Sequence, residues 1–516
     1  MNTKLDIDRI NKELVDYNGH WIENKLFIET SEFDKLTLLL LCKENLGFEF
    51  LANIIIRDSE GDVFSVDYHL INIDKNYHLL IETNVDKKET IQSLTGIWKY
   101  ADYYELEAFE LFGCRFDSVN FSKYKRFLFP QNFDGHPLLD SFEKFEVKKT
   151  LQQNDLQQEN LFQESPSFKL SEDEILFNFE LNKKQIEKID FEMGFKHFGL
   201  EKDAQGKKVY ELSSRIGYLG AQSAMTWSML WCHSVEKTSG MIIPERAQGI
   251  RMVLNEMIRI KNHLLSLMKM IEPCGYSDFV MNLALWHERT LKHINGLLEN
   301  RNPLYYNTIG GVKFDIPIGW VTTCLEFINQ LEKDFSGEYI SLTKTRFFYD
   351  SMSSCSLSKS EIAQAGITGP LLRSVGYNLD FRKKDPIYFY KDISFEVPLG
   401  LKGRVYDRFL VLCEEVLQSI KILFQVLDNL PAGEISLQES KVNLEANTFV
   451  SEGWEASNGI IFAGARVSGD TISRLKISSA SQNTLRTLKQ IMNDSEYEHL
   501  NQSWSSLLIN MSEVER

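Results

Sequence analysis

Two long stretches of this chain carry apolar residues at a spacing that only an α-helix turns to one side. From Pro244 onward, Ile250, Val253, Leu254, Met257, Leu264, Leu265, Met268 and Ile271 form one apolar stripe, with Arg251, Arg259 and Lys261 off it. A second long helix is predicted from about Arg404 to Leu430, with Leu410, Val411, Leu417, Ile420, Leu423 and Leu427 on its inner side. A stripe of that length must be covered by other elements, so this part of the chain is expected to be a helical bundle with a small β elaboration.

Upstream the period changes. VFSVDYHLINI (residues 63–73) and YHLLIETNV (residues 77–85) alternate around a DKN turn, which predicts a β-hairpin. Residues 5–18 read as a short helix, and residues 25–55 mix an apolar run with helical spacing. Trp98, Ala101, Tyr104, Leu106 and Phe109 are then spaced like a helix stopped by Gly113. The segment VKKTLQQNDLQQENLFQESP (residues 147–166) is poor in apolar residues and dense in Gln, Asn and Glu, a composition suited to a solvated linker. LSEDEILFNFEL (residues 170–181) alternates again and opens the second part with strands. The expected organisation is α+β: an N-terminal α/β domain over residues 1–146, a linker over 147–166, and a mainly helical domain over 167–516.

Bulk properties exclude several functions. A formal charge of -16 repels polyphosphate and leaves no basic stripe, so no nucleic-acid partner is expected. The longest apolar runs, such as residues 36–41, fall far short of the roughly 18 residues needed to span a bilayer. Membrane attachment is therefore expected through partners. The N-terminal residues MNTKLDIDRINKEL contain no apolar h-region, which points to a reducing cytosol. The chain contains 7 cysteines, none in a C-x-x-C pair, so neither a structural zinc nor an iron–sulfur cluster is signalled. Cys232 and His233 are adjacent, but neighbouring side chains on a helix diverge by about 100° and do not act jointly on one atom. Both Cys232 and Cys274 read as packing residues. G-x-G-x-x-G after a strand, the P-loop, H-E-x-x-H and G-x-S-x-G are all absent. Gly-rich pieces at residues 309–315 and 365–382 look like shaped turns that place Arg373 and Arg382, for which intramolecular salt bridges are the plainer reading.

Motif order supplies what chemistry does not. ADYYELEAFELFGCRFD (residues 101–117) followed by DGHPLLDSF (residues 134–142) resembles the 30-kilodalton subunit of respiratory complex I, with Leu106 in place of an arginine and Glu110 in place of an aspartate. Residues 235–265, 309–317, 366–386, 395–411 and the terminal MSEVER (residues 511–516) resemble the 49-kilodalton subunit and its relatives, the large subunits of energy-converting nickel–iron hydrogenases. The resemblance covers residues 85–516 in fused order.

The site residues follow from that resemblance. Hydrogenases hold nickel and iron with two C-x-x-C pairs; here Gly220 and Ser223 stand at the first pair's positions and the second pair is missing, so no metal is expected on this chain and no independent hydrogenase activity. Complex I uses the same location for a quinone headgroup, between a tyrosine and a histidine. Arg215-Ile216-Gly217-Tyr218 resembles the tyrosine element, and Tyr218 is the candidate donor of a hydrogen bond and a proton. The expected histidine loop reads ESPSFKLSED (residues 164–173), without histidine, while His197 matches a Y-L-H-R-G-x-E-K element. Arg215 matches an arginine beside the partner's terminal iron–sulfur cluster, where a fixed cation raises the cluster potential.

The resemblance implies a large subunit of a complex-I-like or hydrogenase-related oxidoreductase on the cytoplasmic face of a bacterial inner membrane. Its partners would be an iron–sulfur small subunit, helix-rich and antiporter-like membrane subunits, and ferredoxin-like or flavoprotein input subunits; quinone is the candidate acceptor. Two alternatives stand beside it. One is an authentic NADH:quinone oxidoreductase C/D subunit. The other is a non-catalytic assembly and coupling scaffold, in which Met225, Trp227, Met229 and Trp231 fill the old pocket.

Overall fold

The structure is a computed structural model describing residues 2–15, 17, 19–22, 24–59, 61–118, 126–129, 133–142, 161–164, 175–194, 197–220, 222–298, 305–438, 441–492 and 495–516. The chain divides into two compact units, Met1–Gln153 with Gln364–Gly366, and Asn154–Ala363 with Ile367–Arg516. Most of the residues proposed as a linker, and residues 165–173 of the expected histidine loop, lie outside the described residues.

The first unit runs α1 (Asn2–Glu13), β1 (His20–Ile22), β2 (Lys25–Glu29), α2 (Glu32–Leu46), β3 (Phe50–Ser59), β4 (Val63–Asn72), β5 (Tyr77–Asp86), β6 (Thr90–Ile91), α3 (Ala101–Phe112) and β7 (Arg115–Phe116). The alternating segments form the expected hairpin, with Val63 opposite Asp86 and Asn72 opposite Tyr77, and Asn76 turns the chain at a φ of 54°. The sheet order is β1-β2-β5-β4-β3, with β2 and β5 parallel. Residues 25–55 prove to be strand, helix and strand. Ser31 caps α2 by accepting from the Asp34 N–H at 3.1 Å, and Gly47 ends it in the left-handed region. The helix read from Trp98 starts instead at Ala101, and the Trp98 indole donates to the Glu49 carbonyl at 2.7 Å. Glu110, the departure from the resemblance, is fully buried and accepts from the backbone N–H groups of Phe127 and Leu128.

The second unit starts with the antiparallel strands β8 (Leu161–Glu164), β9 (Leu176–Asn182) and β10 (Gln185–Glu192). Short helices α4 (Leu200–Asp203) and α5 (Val209–Arg215) lead through a 3₁₀ turn at Ile216–Leu219 to α6 (Ala224–Thr238), α7 (Glu245–Ile271) and α8 (Ser277–Leu298). The small pair β11 (Asn307–Thr308) and β12 (Gly311–Val312) precedes α9 (Trp320–Thr343), α10 (Arg346–Ser351), α11 (Lys359–Gln364), α12 (Pro370–Ser374) and α13 (Phe381–Lys384). After α14 (Val405–Asp428) comes a three-stranded antiparallel sheet, β13 (Leu444–Glu455), β14 (Ile460–Gly469) and β15 (Thr471–Ser478). The chain finishes with α15 (Ala480–Arg486), α16 (Leu488–Met492), α17 (Leu500–Ser505) and α18 (Met511–Val514). The α+β class is as expected.

Helix α7 is the axis of this unit and packs against α6, α8, α14 and α17. Its apolar stripe is buried as predicted except for the half-buried Leu265, but so are Arg251 and Arg259, which the helical period puts off the stripe. Neighbours cover both faces of the helix, so its polar side must be satisfied from within. Arg251 donates both terminal nitrogens to Glu236 at 2.8 Å and reaches the carbonyls of Thr308 and Gly311 at 2.8 Å. Gly311 makes the last contact possible: at its φ of +152° a Cβ would lie 2.1 Å from the Ile435 carbonyl oxygen. Replacing one partner of a buried pair leaves an uncompensated charge, so Arg251→Met is expected to cost about 3–5 kcal/mol, and pairing it with Glu236→Leu to recover part of that. Urea midpoints of the two variants check this.

Candidate functional site

The segment leading into α6 carries every residue singled out as a site candidate. His197 precedes α4 and accepts from the Gly199 N–H through Nδ1 at 3.1 Å. Burial lowers its pKa to about 4, with Glu201 opposing, so the imidazole is neutral. Arg215, at the end of α5, pairs with Asp203 of α4, and both side chains remain about two-fifths exposed, at 40% and 44%. Tyr218 sits on the 3₁₀ turn with 55% of its surface exposed.

Immediately after that turn the chain meets its own C-terminal segment. Gly220 runs so close to Asn510 that a Cβ would lie 2.9 Å from its Nδ2. Ser223 donates to Glu513 Oε1 at 2.8 Å, and the Trp227 indole donates to the same oxygen at 3.1 Å. Glu513 Oε2 accepts from Asn458 Nδ2 at 2.9 Å and from the Ser481 hydroxyl at 3.3 Å. Thus Gly220-x-x-Ser223, at the positions where the resemblance to hydrogenases would put the first thiolate pair, faces Asn510-x-x-Glu513 near the C-terminal end of the sequence. These residues do not fit a nickel–iron centre. They offer no soft sulfur ligand, and the one carboxylate already accepts four hydrogen bonds.

Beside them lies a cavity of about 70 Å³ lined by Gly220, Ser223, Asn262, His263, Asn458 and Glu513 among others, but by none of His197, Arg215 and Tyr218. Ligand pockets run from roughly 300 Å³ upward, so a quinone headgroup does not fit in it. Met225, Trp227, Met229 and Trp231 are all buried around this region; the Trp231 indole donates to the Val209 carbonyl at 2.9 Å. Cys232 is fully buried and burial raises its thiol pKa to about 12, with Arg251 opposing, while His233 meets Tyr388 edge to face at 5.2 Å. Cys232 acts as packing, as read from the sequence.

Behind the cavity is an ionic network that sequence reasoning reveals only in part. Arg373 and Arg382 do form intramolecular salt bridges: Arg373 with Glu415 and Glu455, each at 2.7 Å, and Arg382 with Asp380 at 2.7 Å and Glu256 at 3.2 Å. Arg259 joins Glu256 at 3.5 Å, and Tyr390 and Ser419 donate to Glu256 at 2.7 and 2.6 Å. His263 meets Glu415 Oε2 through Nε2 at 2.8 Å. Burial pushes these carboxyls up, but the guanidinium groups win at Asp380, held at about 2, and hold Glu415 and Glu256 below the usual range. Sequence reasoning misses His263, Glu415 and Glu513. Glu415 does carry a signal, since it lies four residues after Val411 on the apolar side of α14.

Family models match two parts of the chain: "Respiratory-chain NADH dehydrogenase, 30 Kd subunit" at residues 26–147 and "Respiratory-chain NADH dehydrogenase, 49 Kd subunit" at residues 275–458. Residues 197–223 and 510–513 lie outside both matches. The NADH-quinone oxidoreductase C/D subunit of Bdellovibrio bacteriovorus is 27% identical over 438 residues, 81% of this chain and 77% of that protein. The proteins of the same name from Rhodopseudomonas palustris and Pseudomonas fluorescens are each 30% identical, over 71% and 72% of this chain and 68% and 67% of their own lengths. These relatives favour the C/D reading over the hydrogenase-related one.

Two outcomes test the geometry. Glu513→Ala leaves four donors without their acceptor and is expected to expose residues 505–516 to faster amide exchange, whereas Tyr218→Phe, at an exposed position, leaves exchange there unchanged. His197 binds a proton in the unfolded chain near pH 6.5 and in the folded chain only near 4, so stability is lost as pH falls through that interval. Denaturant midpoints measured across it should fall less steeply in His197→Gln.

Proposed function

This chain belongs to the family of fused C/D subunits of NADH-quinone oxidoreductase, and from that premise we propose that it is the large peripheral subunit of a complex-I-like oxidoreductase without a nickel–iron centre. The observation that carries the reading is the presence, in one chain and in that order, of the 30 Kd and the 49 Kd family matches. In this reading the chain docks an iron–sulfur small subunit and rests on helix-rich and antiporter-like membrane subunits at the cytoplasmic face of a bacterial inner membrane. Electrons reach it from flavoprotein or ferredoxin-like input subunits, and their passage to a quinone or another acceptor drives ion translocation. Reliance on membrane partners agrees with the described residues, where no helix is long and apolar enough to cross a membrane.

Three residues carry proposed roles. Arg215 is proposed to face the partner's cluster; it is accessible, and Asp203 fixes its position. A cation so placed favours the reduced cluster. Tyr218 presents an accessible phenol, the group proposed to hydrogen-bond a carbonyl acceptor. His197, neutral and half-buried, is proposed to set the entry into α4 through its bond to the Gly199 N–H.

The second reading, a non-catalytic coupling scaffold, draws support from the small cavity and the buried tryptophans beside it. Purification of the intact complex through a tag on this chain separates the readings. The catalytic reading expects a co-purifying cluster protein, quinone-dependent oxidation of NADH or reduced ferredoxin, a lowered cluster midpoint potential in Arg215→Met, and a kcat lowered by about 10²-fold in Tyr218→Phe. Activity indifferent to both variants would favour the scaffold. Stoichiometric nickel with hydrogen uptake would overturn both.

A further inference from the structure

Two residues on the wall of the cavity beside Glu513 carry a buried acceptor that lacks a donor. Asn262 is 6% exposed and lines the cavity; its Nδ2 donates to the Gln222 carbonyl at 3.1 Å and to Ser457 Oγ at 2.9 Å, which fixes the amide orientation and leaves Oδ1 with no hydrogen-bond partner. Asn458 repeats the pattern, its Nδ2 held by Glu513 and Ser481 and its buried Oδ1 unpartnered. His263 lines the same cavity, and its Nε2 is taken by Glu415. Against an ionised Glu415, Nε2 carries the hydrogen, so Nδ1 keeps its lone pair. A buried acceptor without a donor is costly, and a polar cavity of about 70 Å³ has room for several waters.

The charge behind the cavity points the same way. Four carboxylates, Glu256, Asp380, Glu415 and Glu455, face three guanidinium groups, Arg259, Arg373 and Arg382, all with side chains no more than 2% exposed. With every carboxyl ionised the network carries one negative charge, which a buried site tolerates poorly and a proton cancels. Burial raises the pKa of Glu455, with Arg373 opposing, so it can share that proton within the network, but it does not line the cavity. His263 touches both the network and the cavity.

We propose that the cavity is a water-holding proton-uptake site in which His263 accepts a proton at Nδ1 from cavity water while Glu415 keeps Nε2. The proton comes from solvent past the half-buried rim at Lys269 and Gln222 and returns the same way; no heavy-atom bond changes and no electron moves. Burial, first, and the cations Arg259 and Arg373 oppose protonation, and Glu415 favours it; the balance lies below the ordinary histidine value, so the site is empty at neutral pH and loads when pH falls or negative charge is added nearby. Lys269 and Glu513 are the other charged groups on the cavity wall. The inference does not rest on the identity of the electron acceptor and is read on the full chain alone.

Histidine-selective nitrogen-15 labelling of the full chain tests it, with His263→Gln assigning the resonance. Expected are the Nε2–H tautomer at neutral pH, magnetisation transfer from water to the His263 ring, a titration shifted upward by about one unit or more in Asn262→Asp, and loss of the water transfer in Asn262→Leu. Asn458→Leu, on a different element, should repeat that loss in case Asn262→Leu folds poorly. An Nδ1–H tautomer, a dry cavity, or a titration curve common to the wild type and Asn262→Asp would overturn the proposal.

Discussion

The buried exchange between guanidinium groups and carboxylates is what the second unit is built around. Arg373 on α12 ties α14 through Glu415 and β13 through Glu455, while Arg382 on α13 ties α7 through Glu256. Each link joins elements far apart in sequence, so the network can form only when the helices and the sheet are all in place. Apolar packing would hold the same elements together without demanding one relative position. Paired charges tolerate little slippage, because a guanidinium moved by a turn of helix is left buried and alone. The bidentate Arg251–Glu236 pair does the same for α6 and α7, and its further bonds to Thr308 and Gly311 bring in the small β11–β12 pair.

The same logic explains how the C-terminal segment is held. Glu513 is completely buried, yet its four donors come from α6, the β13–β14 turn and α15. Arg516 adds a second anchor by pairing with Glu201 at 2.6 Å, and Glu201 also takes Arg474 at 2.9 Å and the Ile477 N–H at 3.0 Å. Where the resemblance to hydrogenases would put the first thiolate pair, this chain has Gly220 and Ser223, which meet Asn510 and Glu513 of the C-terminal segment.

This arrangement separates two kinds of residue that the sequence presents together. Tyr218 and Arg215 lie at or near the surface, within reach of a partner protein. Gly220 and Ser223, only a few residues on, point into the junction with the C-terminal segment and belong to its internal support. His197 falls in neither group; burial keeps it neutral, and its visible bond is to its own loop. On the proposed reading, catalysis belongs to the outer side of the 3₁₀ turn and proton handling to the inner side, around His263.

The sequence by itself determined the element types and the lineage. The hairpin around Asp74-Lys75-Asn76, the helix stopped at Gly113 and the two long helices were legible because side-chain period and glycine conformational freedom act over a few residues. Motif order placed the chain in its family, since such motifs survive as local strings. What only the tertiary structure decided were the roles of the polar residues. Arg251 and Arg259 look like a solvated helix face in any periodicity plot, and become core when a second layer covers that face. Glu513 and His263 gave no local sign of their importance, because a carboxylate or an imidazole takes its charge and its partners from groups far away in the sequence, such as Ser223 for the one and Glu415 for the other.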